Sequence, residues 1–224
     1  MITVHHLNNS RSQRVLWLLE ELGLPYEVKK YQRDTKTMLA PPELAKVHPL
    51  GKSPVITDDA LTVAETGAIV EYVIERYGNG RLAPAIGSHE RLRWRYWMHF
   101  AEGSAMPPLV MKLVFNKIKR APMPFFVKPI ARGIADKVLS SFVQPNIDNQ
   151  LRFIEGELAA RPWLAGAEFS AADVQMSFPL EAAAQRAGLD ASRPKLMAFL
   201  KRIHARPAYR QALKRGGPYS FAND

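Results

Sequence analysis

A dense polar turn near the start of the chain has residue types that could hold a catalytic anion. Residues 7–15 read LNNSRSQRV, so two asparagines, two serines and two arginines separate an apolar segment from a leucine-rich one. Amide groups at the start of a helix point outwards and carry partial positive charge, so hydroxyl and amide side chains placed there bind anions. The same residues are typical of a turn that only caps a helix. Both interpretations stay open for the turn taken alone.

A second polar pair, Glu65-Thr66, precedes another helical pattern. The Thr66 hydroxyl and amide, at a helix start, can hold a carboxylate, whereas Glu65 can accept hydrogen bonds from an ammonium group. Simple capping of the helix is the alternative, because a first-turn acid also suits the helix dipole. The pattern that follows has apolar residues on one face: Ile69, Val70, Val73, Ile74 and Tyr77.

Composition excludes several kinds of chemistry. The 224 residues contain no cysteine, which rules out disulfides, thiolate zinc sites and a cysteine nucleophile. His5, His6 and His99 show no metal-ligand spacing, so we expect no metal. The chain lacks an apolar run of 18 residues, and its first residues lack a secretory pattern. We therefore expect a cytoplasmic protein without a membrane partner.

The charge of +10 and the pI of about 9.9 invite a nucleic-acid interpretation. The basic residues, however, are scattered over several clusters, and no nucleic-acid-binding motif accompanies them. We interpret them as solvated surface and expect no nucleic-acid partner.

The chain divides into two parts with different periodicity. Residues 1–80 predict an α/β domain with the order strand, helix, strand, short helical turn, hairpin, helix. Residues 88–224 predict an all-α domain. We expect a long helix over 87–103, a proline-rich interruption at 121–130 and helices again from Gly133. Ser170 and Asp173 form a capping box that starts one of them.

Four segments, in this order and spacing, resemble the cytosolic glutathione S-transferase superfamily over essentially the whole chain. They are NNSRSQRVLWLLEELGLPYE, PLGKSPVITDD, LTVAETGAIVEYV and the Ser170–Asp173 capping box. The first is especially similar to bacterial and fungal members. The resemblance implies a thioredoxin-like domain that binds glutathione, followed by a helical domain. It also implies glutathione as co-substrate, a small hydrophobic electrophile and a homodimer.

The resemblance assigns residues to parts of glutathione. Glu65 and Thr66 match the pair that binds the γ-glutamyl group. Ser53-Pro54 matches a bond that the family keeps cis, and the backbone of Ser53 would pair with the cysteinyl residue like an added strand. Lys52 either meets the glycine carboxylate or is solvated.

The polar turn would stabilise the glutathione thiolate. A free thiol has a pKa of about 8.5 and is mostly protonated at neutral pH. Alignment on Arg14 places Ser10 as the hydroxyl donor, an alternative alignment places Asn9 there, and Ser12 is a third choice that we expect to cap the helix instead. Arg11 and Arg14 either add positive potential or form surface pairs.

The expected function is transfer of glutathione to hydrophobic electrophiles, with reduction of peroxides as a further activity. Residues 99–115 would line the electrophile pocket, and Glu102 or Ser104 would reach a ligand across the dimer. The alternative is a non-catalytic binding or assembly module with the same fold.

Overall fold

The N-terminal domain is a four-stranded mixed sheet with two helices. The computed structural model describes residues 1–222. The elements of this domain are β1 (Ile2–Leu7), α1 (Ser12–Leu22), β2 (Tyr26–Tyr31), a 3₁₀ turn (Pro42–Lys46), β3 (Val55–Asp58), β4 (Leu61–Ala64) and α2 (Thr66–Tyr77). The sheet order is β2-β1-β3-β4, with β1 and β2 parallel and the other two pairs antiparallel. This is the predicted order of elements.

Local sequence explains where α1 begins and ends. Val15, Leu18 and Leu19 are fully buried on its inner face. Gly23 ends the helix with φ at 63°, a left-handed conformation that glycine adopts without a Cβ penalty. The expectation that Ser12 caps α1 is wrong: Arg11 is the capping position and Ser12 is the first helical residue. The Ser12 hydroxyl is held by other side chains, as described below.

The second domain is all-α: among its described residues, every regular element is a helix or a helical turn. Its helices are α3 (His89–Phe100), α4 (Met106–Arg120), α5 (Lys128–Val138), α6 (Gln144–Ala160), α7 (Ala171–Arg186), α8 (Pro194–His204) and α9 (Pro207–Gly216). A five-residue π turn joins α3 to α4, and another joins α5 to α6. Within the described residues, none of the helices combines the length and the apolar character needed to cross a membrane.

Two helix boundaries differ from prediction. The helix expected over 87–103 continues through the π turn Ala101–Ala105 into α4 and reaches Arg120. Pro107 and Pro108 do not stop it, because they lie in the first turn of α4, directly after the π turn, and a first-turn position tolerates a residue without an N–H. For the same reason α5 begins at Lys128, with Pro129 in its first turn, rather than at Gly133.

One continuous apolar core runs through both domains. The ring of Trp17 on α1 lies 5.6 Å from the ring of Phe169 and 5.1 Å from that of Tyr209, centroid to centroid. Arg206 binds the Glu21 carboxylate with two nitrogens, at 2.5 and 2.8 Å. The two domains therefore hold each other in a fixed orientation, which sets the cleft between them.

The predicted capping box of α7 is present. Both the Ser170 backbone N–H, at 2.9 Å, and the Ser170 hydroxyl donate to Asp173 Oδ2. The Leu164 backbone N–H donates to the other carboxylate oxygen, at 2.9 Å. Asp173 thus fixes both the helix start and the loop before it.

Candidate active site

A cavity of about 250 Å³ lies where the loop before β3, the start of α2 and the π turn Ala101–Ala105 of the second domain meet. Its lining residues are Arg11, His48, Leu50, Lys52, Ser53, Pro54, Ala64, Glu65, Thr66 and Glu102. Five of the predicted site residues are therefore brought together: Lys52, Ser53, Pro54, Glu65 and Thr66. Ser10 and Asn9 do not line this cavity.

The start of α2 presents donors to the cavity. Glu65 precedes the helix with φ at 69°, an uncommon conformation for a residue other than glycine. The Ile69 N–H donates to the Glu65 carbonyl at 2.9 Å. The amides of residues 66–68 precede this first helical bond and have no partner within the helix. They are available to an anion together with the Thr66 hydroxyl.

A buried arginine sets the orientation of Thr66. Arg14 is 1% exposed, and its Nη2 donates to Thr66 Oγ1 at 3.2 Å. The hydroxyl oxygen is thus occupied as an acceptor, which leaves the Thr66 hydroxyl proton to donate elsewhere. Arg14 Nη1 donates to the Gln175 carbonyl on α7 at 2.6 Å, so this side chain spans both domains.

Glu102 lies between two guanidinium groups at the edge of the cavity. Arg14 Nη2 donates to its carboxylate at 2.5 Å, and Arg11 Nε donates to both its oxygens at 2.9 and 3.0 Å. Burial by itself would raise the pKa of Glu102, but the charges of Arg14 and Arg11 outweigh it and lower the pKa. Glu102 is therefore anionic, and it makes these contacts within a single chain.

The loop that carries Ser53 is fixed to the first strand. Ser53 Oγ donates to the His5 carbonyl at 2.9 Å and accepts from the Leu7 N–H at 3.3 Å. The Ser53–Pro54 bond is cis, as the resemblance implied. Lys52 is exposed at the rim of the cavity.

The polar turn contains a chain of buried hydroxyls. Ser10 Oγ lies 2.7 Å from Ser12 Oγ, and Ser12 Oγ lies 2.9 Å from His6 Nδ1. Ser10 Oγ also accepts from the Ser12 N–H at 3.2 Å, which is the hydrogen bond that stabilises the start of α1. Burial, with a smaller effect of Lys30, lowers the pKa of His6 to about 4. His6 is therefore neutral at pH 7.

Asn9 has a different partner. Its φ is 50°, and its Oδ1 accepts from both the backbone N–H and the hydroxyl of Ser220, each at 2.8 Å. Asn9 thus ties the polar turn to the C-terminal segment. Among the described residues, no group of His, Asp and Glu side chains could hold a metal ion.

Sequence reasoning did not single out three features of this cavity. Leu50 lies within the segment PLGKSPVITDD and His48 directly precedes it, but nothing in the local sequence marks either of them as a lining residue. Glu102 was considered only as a contact across a dimer. Its pairing with Arg11 and Arg14 depends on where the π turn Ala101–Ala105 lies relative to α1, which a local pattern cannot indicate.

Comparison with known proteins identifies the family. Residues 1–75 match the model of the glutathione S-transferase N-terminal domain, and residues 117–207 match that of the glutathione S-transferase C-terminal domain. Glutathione S-transferase 3 of Schizosaccharomyces pombe is 38% identical over 219 residues, which cover 96% of this chain and 88% of that protein.

Solved structures agree with the sequence matches. A glutathione S-transferase from Actinobacillus pleuropneumoniae is 30% identical, with a TM-score of 0.81. The match covers 100% of this chain and 97% of that chain. A sphingomonad glutathione S-transferase complexed with glutathione is 27% identical, with a TM-score of 0.73. The match covers 96% of this chain and 98% of that chain.

The fold and the two-domain match thus define the class of protein, a thioredoxin-like domain joined to a helical domain. The chain belongs to the glutathione S-transferase superfamily. The predicted family, the predicted fold and the expectation of a glutathione transferase are confirmed.

Proposed function

We propose that the 250 Å³ cavity binds glutathione and that the chain transfers this tripeptide to small hydrophobic electrophiles. The observation that carries the proposal is the convergence of Lys52, Ser53, Pro54, Glu65 and Thr66 on this one cavity. These residues come from two separate segments of the sequence, and the two segments match different parts of the ligand.

The part of the cavity lined by Glu65 and Thr66 suits the charges of a γ-glutamyl group. Its carboxylate would accept from the Thr66 hydroxyl and from the first amides of α2. Its ammonium group would donate to Glu65. Glu102 adds negative charge on the same side, although two guanidinium groups already neutralise much of it.

The remainder of the tripeptide would follow the loop before β3. The backbone of Ser53 is the pairing partner for the cysteinyl residue, in the manner of a strand added to an exposed edge. Two hydrogen bonds of the Ser53 hydroxyl to β1 keep that backbone in place. Lys52, at the rim, would meet the glycine carboxylate.

The sulfur would lie at the start of α1, with Ser10 as hydroxyl donor and Asn9 as the alternative. Two observations support Ser10. It is adjacent to Arg11, which lines the cavity, and its Oγ is aligned by Ser12 at the N-terminus of α1. Asn9 Oδ1 is already committed to Ser220. The partial positive charge of the helix start and the Arg11 guanidinium would lower the thiol pKa.

The stabilised thiolate would attack an electrophilic carbon. A bond forms between sulfur and that carbon, and the leaving group departs with the electron pair of the broken bond. Arg11 Cζ lies 5.2 Å from the ring centroid of Phe178, which belongs to an apolar cluster with Met106 and Phe221. This cluster would supply the apolar wall for the electrophile. The rate gain comes from ionisation and positioning.

Calorimetry with glutathione separates the enzyme from a non-catalytic module. We expect binding by the wild-type chain and a Kd raised roughly tenfold or more in Thr66→Ala, because a hydrogen bond to a charged group contributes about 1.5–3 kcal/mol. Thr62→Ala on β4 is the matched control and should bind as wild type. Absence of binding by the wild type at millimolar glutathione would favour the module.

Turnover of an aryl halide identifies the donor to sulfur. Ser10→Ala should lower kcat by roughly tenfold or more while glutathione still binds, whereas Asn9→Ala should change kcat less. An unchanged kcat in Ser10→Ala would remove Ser10 from this role. The predicted homodimer, the cytoplasmic location and the two domain boundaries remain predictions.

A further inference from the structure

The tip formed by the end of α4 and the start of α5 exposes large apolar side chains. Phe125 is 87% exposed, Phe126 is 64% exposed, and Ile130 and Ile134 are 64% and 60% exposed. Val127, Ile130 and Ile134 are spaced three and four residues apart, so they share one face of the helix and of the turn before it. None of these residues lines the candidate active site.

Basic residues flank this apolar tip on both sides in the sequence. Residues 112–137 contain seven lysines and arginines and one acid, Asp136, so their net charge is +6 out of +10 for the chain. Lys119 pairs with Asp136, and the exposed basic residues include Arg120, Lys128 and Arg132. Exposed aromatic and aliphatic side chains therefore lie close to several basic side chains in one segment. We call this surface the basic tip, residues 112–137.

We propose that the basic tip docks on the surface of an anionic phospholipid membrane. The phenylalanines and isoleucines would insert at the boundary between head groups and acyl chains, and the lysines and arginines would contact the acidic head groups. This goes beyond the transfer reaction and revises the expectation that no membrane partner exists. It needs no spanning segment.

Charge and shape favour a membrane over other partners. Two copies of the chain joined through the basic tip would bring two surfaces of charge +6 together, which electrostatic repulsion opposes. A nucleic acid would stack on the phenylalanines, but it offers no apolar environment to Ile130 and Ile134. A lipid surface accepts rings, aliphatic side chains and positive charge at once.

Sedimentation with lipid vesicles tests the proposal on the full chain. We expect the protein to pellet with vesicles that contain phosphatidylserine, to pellet much less with pure phosphatidylcholine, and to be released by salt. Phe125→Ser should weaken binding roughly tenfold, because burial of an aromatic side chain contributes at least that factor. Ile86→Ser is the matched control: Ile86 is 91% exposed, lies outside the tip and should not affect binding.

Two further variants distinguish insertion from simple attraction. Lys128→Glu combined with Arg132→Glu should weaken binding roughly fivefold or more per residue. Phe126→Trp should be quenched by brominated phospholipid, which requires contact with acyl chains. All these variants should conjugate an aryl halide at the wild-type rate in the absence of lipid.

Three results would overturn the proposal. The first is no pelleting with phosphatidylserine vesicles at low salt. The second is equal binding by Phe125→Ser and wild type, which would leave only charge attraction. The third is a lower oligomeric mass for Phe125→Ser, which would make the tip an interface between copies of the chain.

Discussion

Arg14 is the side chain on which both the candidate site and the contact between domains depend. It is buried on α1, binds Glu102 and the Gln175 carbonyl of the helical domain, and orients Thr66 at the ligand cavity. A loss of this one guanidinium would therefore leave a partly buried carboxylate without its closest positive partner.

We expect Arg14→Met to lower the free energy of unfolding by about 3–5 kcal/mol, because removal of one partner leaves a partly buried charge uncompensated. Arg11→Met is the matched control. Arg11 binds the same carboxylate, but its side chain is 32% exposed, so its removal should cost about 1 kcal/mol or less. Denaturant unfolding measures both values. Equal effects of the two substitutions would contradict the assigned role of Arg14.

His6 makes a definite prediction for pH dependence. Its pKa falls from an ordinary 6.5 to about 4 in the folded chain, so the unfolded chain takes up a proton first as pH falls. The contribution of His6 to the free energy of unfolding is therefore complete above pH 6.5. It is lost as pH falls from 6.5 to 4, and the total loss is about 3 kcal/mol.

Burial raises the pKa of Asp173 to about 6. The contribution of this carboxyl to folding stability therefore increases as pH falls, in the opposite direction to that of His6. The difference in stability between wild type and His6→Gln isolates the effect of His6. That difference should shrink as pH falls from 6.5 to 4. A difference that stays constant over this range would show that His6 does not titrate as inferred.

Local motifs indicated some residues of the candidate cavity and not others. Thr66 and Pro54 belong to short segments whose order along the chain is informative, so they could be predicted. Glu102 could not, because its role arises from side-chain pairing across the domain boundary, between the π turn Ala101–Ala105 and the start of α1. The position of Ser10 at the helix start was predicted. The hydrogen bonds that join Ser10 to Ser12, and Ser12 to His6, were not predicted, because His6 lies on β1.

At the scale of elements, packing of α9 on α1 allows no extra volume at Gly216. A Cβ there would lie 2.6 Å from Gln13 Oε1 and 3.0 Å from Leu16 Cδ1. We expect Gly216→Ala to destabilise the fold by about 1–3 kcal/mol, since both contacts must give way.

Gly156, on the exposed face of α6, is the matched control. A Cβ at that position meets no atom within 4 Å. Gly156→Ala should therefore stabilise the chain by about 0.5–1 kcal/mol, as expected for alanine in place of glycine inside a helix. Thermal unfolding measures both substitutions. Stabilisation by Gly216→Ala would contradict the close packing of α9 on α1.

Strands and most helices followed from periodicity, whereas helix continuity did not. Gly23 marks the end of α1 in the sequence and in the structure alike. The first helix of the second domain was predicted over residues 87–103, but the π turn and the tolerance of prolines in a first turn carry the helix onward. A local signal of this kind does not separate a helix end from a helix irregularity.

At the scale of the whole molecule, the shared core makes the two domains one folding unit. Trp17 of the first domain packs on Phe169 and Tyr209 of the second, and Arg206 reaches back to Glu21. Neither domain could separate without exposure of apolar surface at this contact.

We therefore expect a single unfolding transition, with the same midpoint by far-ultraviolet circular dichroism and by tryptophan fluorescence. Three of the four tryptophans, Trp94, Trp97 and Trp163, lie in the helical domain, while the circular dichroism reports on both domains. Separate midpoints for the two signals would show that the domains unfold independently.

The most direct test of the proposed mechanism is the pKa of the glutathione thiol in the binary complex, measured by ultraviolet absorbance of the thiolate. We expect a value about 2 units below the 8.5 of a free thiol, and a smaller decrease in Ser10→Ala. A bound thiol that titrates as it does in free solution would contradict the mechanism, even if glutathione binds in the cavity as proposed.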